Sequence, residues 1–442
     1  MDQPATDFGS HLPGRLPIVL TALLVLAAMP RAVAEPDRLL PSAEEAEFRY
    51  TVEYPAVPYA SARPADRVAA LVARLGAGDR EIPVDAGGSW LPGLLQALDI
   101  DPNSQVLVLS KTSLNKGGIT PQTPRAIYFN DDTYVARVPG AGMLEIATMD
   151  PVLGPLFYVV EEKGQPTPVF DRQTVQCLRC HDSLTLTGGG VPRFILGSGY
   201  IDVRGELVSH EGWILTDQTT PYRFRWGGWY VTGTHGELEH LGNIVVRDPA
   251  TLWELDKLRV YDRETLDGFI DTALYPRATS DIVALLVLEH QVHVQNLMTR
   301  VAWDVRQALG RAPDAGFITE ETKSLIEASA DPLVQALLFK GEPALPGPVR
   351  GNSGFRATFE ARGPFDAGGR TLRELDLETR VFRYPLSYLV HSEAFAALPE
   401  PVREHVLRRL DAVLGAEPAA APVARYTAAE RAAARELLRE WR

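Results

Sequence analysis

Cysteine is almost missing from this chain. Of 442 residues only two are Cys, at positions 177 and 180. A disulfide framework is therefore excluded as the source of the fold. A structural zinc site would need its remaining ligands from distant His or Asp. Methionine is scarce beyond that pair, Met298 being the only one. There is no surplus of basic charge either. The formal net charge is −13, which argues against nucleic acid or an anionic lipid surface as a partner. The glycines fit neither a P-loop nor a dinucleotide fingerprint. No internal repeat is present. Beyond residue 34 no apolar run reaches the roughly 20 residues of a membrane span. The best, Ile282 to Leu288, stops at Glu289 and His290.

What is present suits a packed protein. Apolar residues make up 45% of the chain, with seven Trp, 14 Tyr and 15 Phe, enough for a substantial core. Residues 1–34 read as a secretory signal. Leu16 to Met29 form the apolar stretch behind Arg15, Ala32-Val33-Ala34 is a small-x-small cleavage pattern, and Glu35 is the expected mature N-terminus. The expected address is periplasmic or otherwise exported.

The two cysteines sit in "VQCLRCHDS", residues 175–183. A Cys-x-x-Cys pair can be a disulfide, a redox dithiol, half a zinc site or a haem anchor. A disulfide across two residues closes a tiny loop and stabilises little. A thioredoxin-like dithiol wants a following helix, and "SLTLTGGGVPRF" is not one. His181 decides the matter. Cys-x-x-Cys-His is the signature of covalent c-type haem, with two thiols for the haem vinyl groups and an imidazole for the iron. Attachment outside the cytoplasm agrees with the leader. One covalent haem c is therefore expected at Cys177, Cys180 and His181, with a disulfide or zinc as the alternatives.

The fold is expected to be α+β. The reading is a signal peptide (1–34), a β-rich haem-containing domain (35–340) with one long buried helix, a Pro/Gly-rich linker (341–354) and a mainly helical C-terminal region (355–442). Short helices are expected at Ala65–Leu75 and Leu91–Leu98. Strands are expected at 105–110, 125–129, 133–138, 143–148 and 156–161, from short apolar or alternating runs between turn residues. Asn130-Asp131-Asp132 reads as a hairpin turn rather than a calcium site. The long helix is expected from about Ser280 to Ala308. A final helix opens with the capping-box pattern Thr427-x-x-Glu430.

The sixth iron position decides the class of function, because an open haem iron is reactive and a doubly ligated one usually carries electrons. Met143 and Met149 precede the motif and Met298 lies far beyond it. Histidines are better placed. At about 100° per residue His290 falls in the middle of the apolar face of the long helix and His293 on its edge. Glu289, four residues before His293, could orient its imidazole. His290 and His293 are thus the first candidates for the second ligand. His235 and His240 follow, and His210, His391 and His405 are weaker. Arg225, Trp226 and Trp229 are candidates to line the haem pocket, Arg for a propionate and Trp as an indole donor. The competing assignment for all of these is ordinary core and surface.

"SKTSL", "TPRAIYFNDDTYV", "CLRCH", "RWGGWYVTGTHG" and "HLGN" together resemble a family of exported bacterial proteins described as cytochrome c domain-containing. The resemblance spans about residues 100 to 410. It implies one haem c and a periplasmic or similar address, and it carries no reaction. The expected function is periplasmic electron transfer with an unidentified redox partner protein. The alternative is a haem oxidoreductase with an open or displaceable sixth position, acting on a peroxide or a nitrogen or sulfur oxide.

Overall fold

Alternating apolar residues between 106 and 172 build the frame. In the computed structural model, which describes residues 53–162, 167–208, 212–248, 262–311 and 318–440, they form most of a seven-stranded antiparallel sheet. Its strands are β1 (Val106–Val108), β2 (Arg125–Phe129), β3 (Thr133–Arg137), β4 (Met143–Asp150), β5 (Gly154–Glu161), β6 (Phe170–Arg172) and β7 (Trp229–Tyr230), in the spatial order β7-β1-β2-β3-β4-β5-β6. The protein is α+β, as expected. The hairpin at 130–132 is closed by Asn130, whose side-chain oxygen accepts from the N–H groups of Asp132 and Thr133. Asp131 and Asp132 are paired with Arg373 and Arg67, so their charges are already matched by protein.

The long helix, Ile282–Arg311, is buried on nearly every side over its first half. A helix apolar all round belongs at the centre of a fold. It meets the sheet closely. Gly154, at φ +79°, lies where an added Cβ would sit 2.4 Å from Thr299, so only glycine lets strand and helix approach there. Gln291 and Gln295 donate to the carbonyls of Asn130 and Asp131, which ties the helix to the hairpin. Asp281 caps the helix: one carboxylate oxygen accepts from the N–H groups of Val283 and Ala284. The helices Glu320–Leu337, Glu400–Leu414 and Ala428–Glu440 complete the molecule. The expected capping box is formed, Glu430 N–H donating to Thr427 Oγ1 and Thr427 N–H to Glu430.

The segment 341–354, expected as a linker, is instead part of the body, and Glu47–Arg442 form one unit. Leu345 and Val349 are buried, and their N–H groups donate to the carbonyls of Thr379 and Leu377. Asn352, Ser353 N–H and the Ser353 hydroxyl all donate to the second oxygen of Asp281. Its prolines and glycines suit an irregular path tied down at several points, which composition does not distinguish from a loose one. The expected leader lies outside the described residues. Among the described residues no helix is long and apolar enough to cross a membrane.

Candidate cofactor site

The Cys-x-x-Cys-His motif follows the outermost strand of the sheet. β6 pairs with β5, and beyond it Gln173 N–H donates to the Phe157 carbonyl. Arg172 anchors this edge through hydrogen bonds to the carbonyls of Tyr59 and Ala62. The chain then makes one helical turn, Leu178–His181, with His181 N–H bonded to the Cys177 carbonyl. Leu178 is fully buried and pins the turn to the core. The i, i+3 spacing sets both thiols on one side of that turn. Cys177 is half-buried and Cys180 exposed. After the motif, Gly188, Gly189 and Gly190 all have positive φ, a run that only glycine makes without strain.

His181 is held from one side only. Its Nδ1 bonds the Arg193 carbonyl at 2.7 Å, and Arg193 N–H bonds back to the His181 carbonyl at 2.9 Å. The Phe157 ring lies 4.3 Å from the imidazole, centre to centre. Burial pushes the imidazole down to about 4, so it is neutral at neutral pH, the form that ligates a metal. With Nδ1 committed as the proton-bearing nitrogen, Nε2 carries the lone pair, and it has no hydrogen-bond partner among the described residues. A metal-ligating histidine usually has this arrangement, one ring N–H given to a carbonyl and the other nitrogen open. Burial, with Glu145 and Cys180 adding to it, pushes the Cys177 thiol up to about 12. That is opposite to the lowered value of a redox-active CxxC thiolate.

The surroundings are open, polar along most of their length, with two exposed apolar side chains. Val175 is 54% exposed and Leu184 80% exposed, unusual for large apolar side chains on both flanks of one turn. A depression of about 460 Å³ runs beside the turn, lined by Asp171 to Gln176 and Arg179. Its walls come from a single stretch of chain, so it is a shoulder rather than a closed pocket. These residues fit the thiol side of a haem c: two thiols on one face, an oriented imidazole, and apolar surface for a macrocycle to cover. Among the described residues no group of three or more His, Cys, Asp or Glu is arranged to hold a metal ion, which leaves the zinc alternative without further ligands there.

The other expected residues fall into different places. His290 is buried, and both its nitrogens are engaged, Nδ1 with the Gln218 side chain and Nε2 with Ser387 Oγ at 2.7 Å. Its ring is packed against Phe339 and Phe382. The expectation of His290 as an iron ligand is corrected: its position on the apolar face means a satisfied core histidine. His293 differs. It is 20% exposed at the side chain, and its Nδ1 lies 3.5 Å from Asp217. Its pKa is lowered by burial and by the charge of Arg193, the residue whose carbonyl holds His181. His293 therefore stays the better candidate. Asp217, not Glu289, is the carboxylate beside it.

Glu289 points instead to Arg225, at 2.7 Å, both nearly fully buried. Arg225 also donates to the carbonyls of Thr220 and Gln218, so its three nitrogens are all occupied. Burial pushes Glu289 up to about 7 against the pull of that guanidinium. Trp229 is buried and donates to the Gly197 carbonyl. Trp226 is buried at φ +64° with its ring against His240 and Tyr222. The assignment of Arg225, Trp226 and Trp229 to a haem pocket is thus corrected to an internal framework. His235 and His240 pair with each other, Nε2 to Nε2 at 3.3 Å. Gly242 N–H donates to His240 Nδ1, which places the His240 proton on Nε2 and makes this pair a hydrogen bond rather than two ligand lone pairs. His210 lies outside the described residues.

Sequence reasoning missed Arg193 and Phe157 beside His181, Asn296 on Phe194, and Asp217 beside His293. Arg193 acts through its backbone, which no side-chain pattern reveals. Comparison of the chain with protein-family models, with curated proteins and with solved structures finds no match.

Proposed function

We propose that this chain is an exported c-type cytochrome with one covalent haem, and that it transfers electrons. Cys177 and Cys180 would hold the group through thioether links and His181 would ligate its iron. His293 is the first candidate for a second iron ligand. The iron supplies a reversible one-electron couple when the group is bound. The chain's own residues orient His181 through the Arg193 carbonyl and keep its imidazole neutral. Val175 and Leu184 give the group apolar surface to cover. The observation that carries the reading is the His181 geometry within a Cys-x-x-Cys-His turn: Nδ1 bound to a carbonyl, Nε2 open, and an exposed thiol next to it in sequence.

The resemblance to cytochrome c domain-containing proteins, the expected leader and the expected exported address belong to the same proposal. Purified protein, reduced in alkaline pyridine, is expected to show the α-band of a c-type haem; its absence would overturn the reading. A low-spin spectrum unmoved by carbon monoxide or cyanide marks the electron carrier. High-spin iron that binds these ligands marks instead the haem oxidoreductase with an open or displaceable sixth position.

A further inference from the structure

Asn296 stands on the long helix, buried, and its side-chain amide grips one residue twice. Phe194 N–H donates to Asn296 Oδ1 at 2.8 Å, and Asn296 Nδ2 donates to the Phe194 carbonyl at 2.9 Å. The Phe194 N–H and the Arg193 carbonyl belong to one peptide group, planar and electronically coupled through its partial double bond. That same carbonyl bonds His181 Nδ1. A continuous line of hydrogen bonds therefore runs from Asn296 Oδ1, across the 193–194 peptide, to the imidazole. An acceptor on the N–H end of an amide raises the electron density on its oxygen, and hydrogen bonds in series strengthen one another. The adjoining 192–193 peptide is held from the motif side by the Arg193 N–H bond to the His181 carbonyl.

We infer that Asn296 is a positioning residue for the axial histidine: it fixes and polarises the peptide that orients His181, and so tunes how strongly Nε2 donates to a metal. This rests on the haem reading above. A stronger acceptor at Nδ1–H gives the imidazole more anionic character, which favours ferric over ferrous iron. Asn296 lies 115 residues from His181 in sequence and touches neither the motif nor any thiol, so its influence has to run through the peptide.

The test uses the full chain with its haem, in wild type, Asn296→Leu and Asn296→Asp. Pyridine haemochrome spectra establish attachment in each, and a spectroelectrochemical titration reads the ferric/ferrous ratio. Asn296→Leu removes the acceptor. At fixed ambient potential it is expected to shift the ratio toward ferrous by roughly three- to ten-fold, the size of one ordinary hydrogen bond. Asn296→Asp keeps an oxygen for Phe194 N–H and loses only the Nδ2 donor, so its ratio stays at the wild-type value or moves toward ferric. A clamp that merely ties loop to helix would lower the thermal midpoint of both variants and leave both ratios unchanged, which overturns the inference. Where Asn296→Leu does not accumulate, Asn296→Ala, which also removes the acceptor, is read in its place: a shift toward ferrous supports the inference and an unmoved ratio overturns it. Absence of covalent haem in the wild type overturns the haem reading and this one together. Attached haem with unmoved ratios overturns this one alone.

Discussion

His290, within the long helix, and His181, in the Cys-x-x-Cys-His turn, have surroundings built on opposite terms. His290 has both of its nitrogens matched by protein, Gln218 and Ser387 taking one each, and nearby Arg225 holds one oxygen of the buried Glu289. Around His181 half of the shell is missing. One nitrogen is held and the other is open, one thiol is exposed, and two large apolar side chains face outward. A buried polar group without a partner is costly, so natural cores satisfy theirs and become rigid. A site for a ligand has to leave some of its valences for that ligand. The contrast thus separates a histidine with both nitrogens engaged from one with a nitrogen unpartnered among the described residues.

The comparison can be broken most severely at the motif. Replacing Cys177 and Cys180 together by Ala is expected to abolish covalent haem, read as loss of the pyridine haemochrome band. The stability of the haem-free chain to urea should change by no more than about 1 kcal/mol. Arg225→Leu should do the reverse. It strands the buried Glu289 carboxylate and is expected to cost about 3–5 kcal/mol in urea unfolding, and Arg225→Leu with Glu289→Leu should recover most of that.

A finer contrast lies within the helix. His290→Ala should cost about 2–4 kcal/mol, from a cavity among aromatic rings and two lost hydrogen bonds, with the Soret band unchanged. His293→Ala should cost about 1 kcal/mol or less and convert low-spin iron to high-spin. Unaltered spectra in both would remove the helix as the source of the second ligand. A pH-dependent effect concerns the His235–His240 pair. Burial, helped by His235, pushes His240 down to about 3, below its usual value near 6.5. A histidine kept neutral in the fold contributes fully above its unfolded value, and that contribution is lost as pH falls toward the folded one. Stability should therefore decline between about 6.5 and 3, by up to about 1.4 kcal/mol per pH unit. His240→Gln should flatten that limb in urea titrations at stepped pH.

The strands and the long helix were legible because their signal is local. Short apolar or alternating runs between turn residues placed β1 to β5 within a few residues, and the apolar stretch after Ser280 placed the helix. The capping box at Thr427 was legible for the same reason. The site was only half legible. His181 was fixed by its neighbours in sequence, but its orienting carbonyl belongs to a glycine-rich loop. The misassigned residues share a cause. Arg225 finds its carboxylate 64 residues away, and His290 finds its partners 72 and 97 residues away. No periodicity reports such pairings. A residue type suited to a haem pocket is equally suited to a closed internal network, and only the partners distinguish them.

Asp281 carries a consequence for how the molecule comes into being. Its carboxylate gathers the start of the long helix and, from 71 and 72 residues later, Asn352 and Ser353. Gly351 passes so near that an added Cβ would sit 2.4 Å from that carboxylate. The central helix thus acquires its full N-terminal anchor only after residue 353 has been synthesised. A chain that ended earlier would hold its longest apolar helix with the start untied. The motif at 177–181 is thus completed in synthesis well before the residues that finish this anchor.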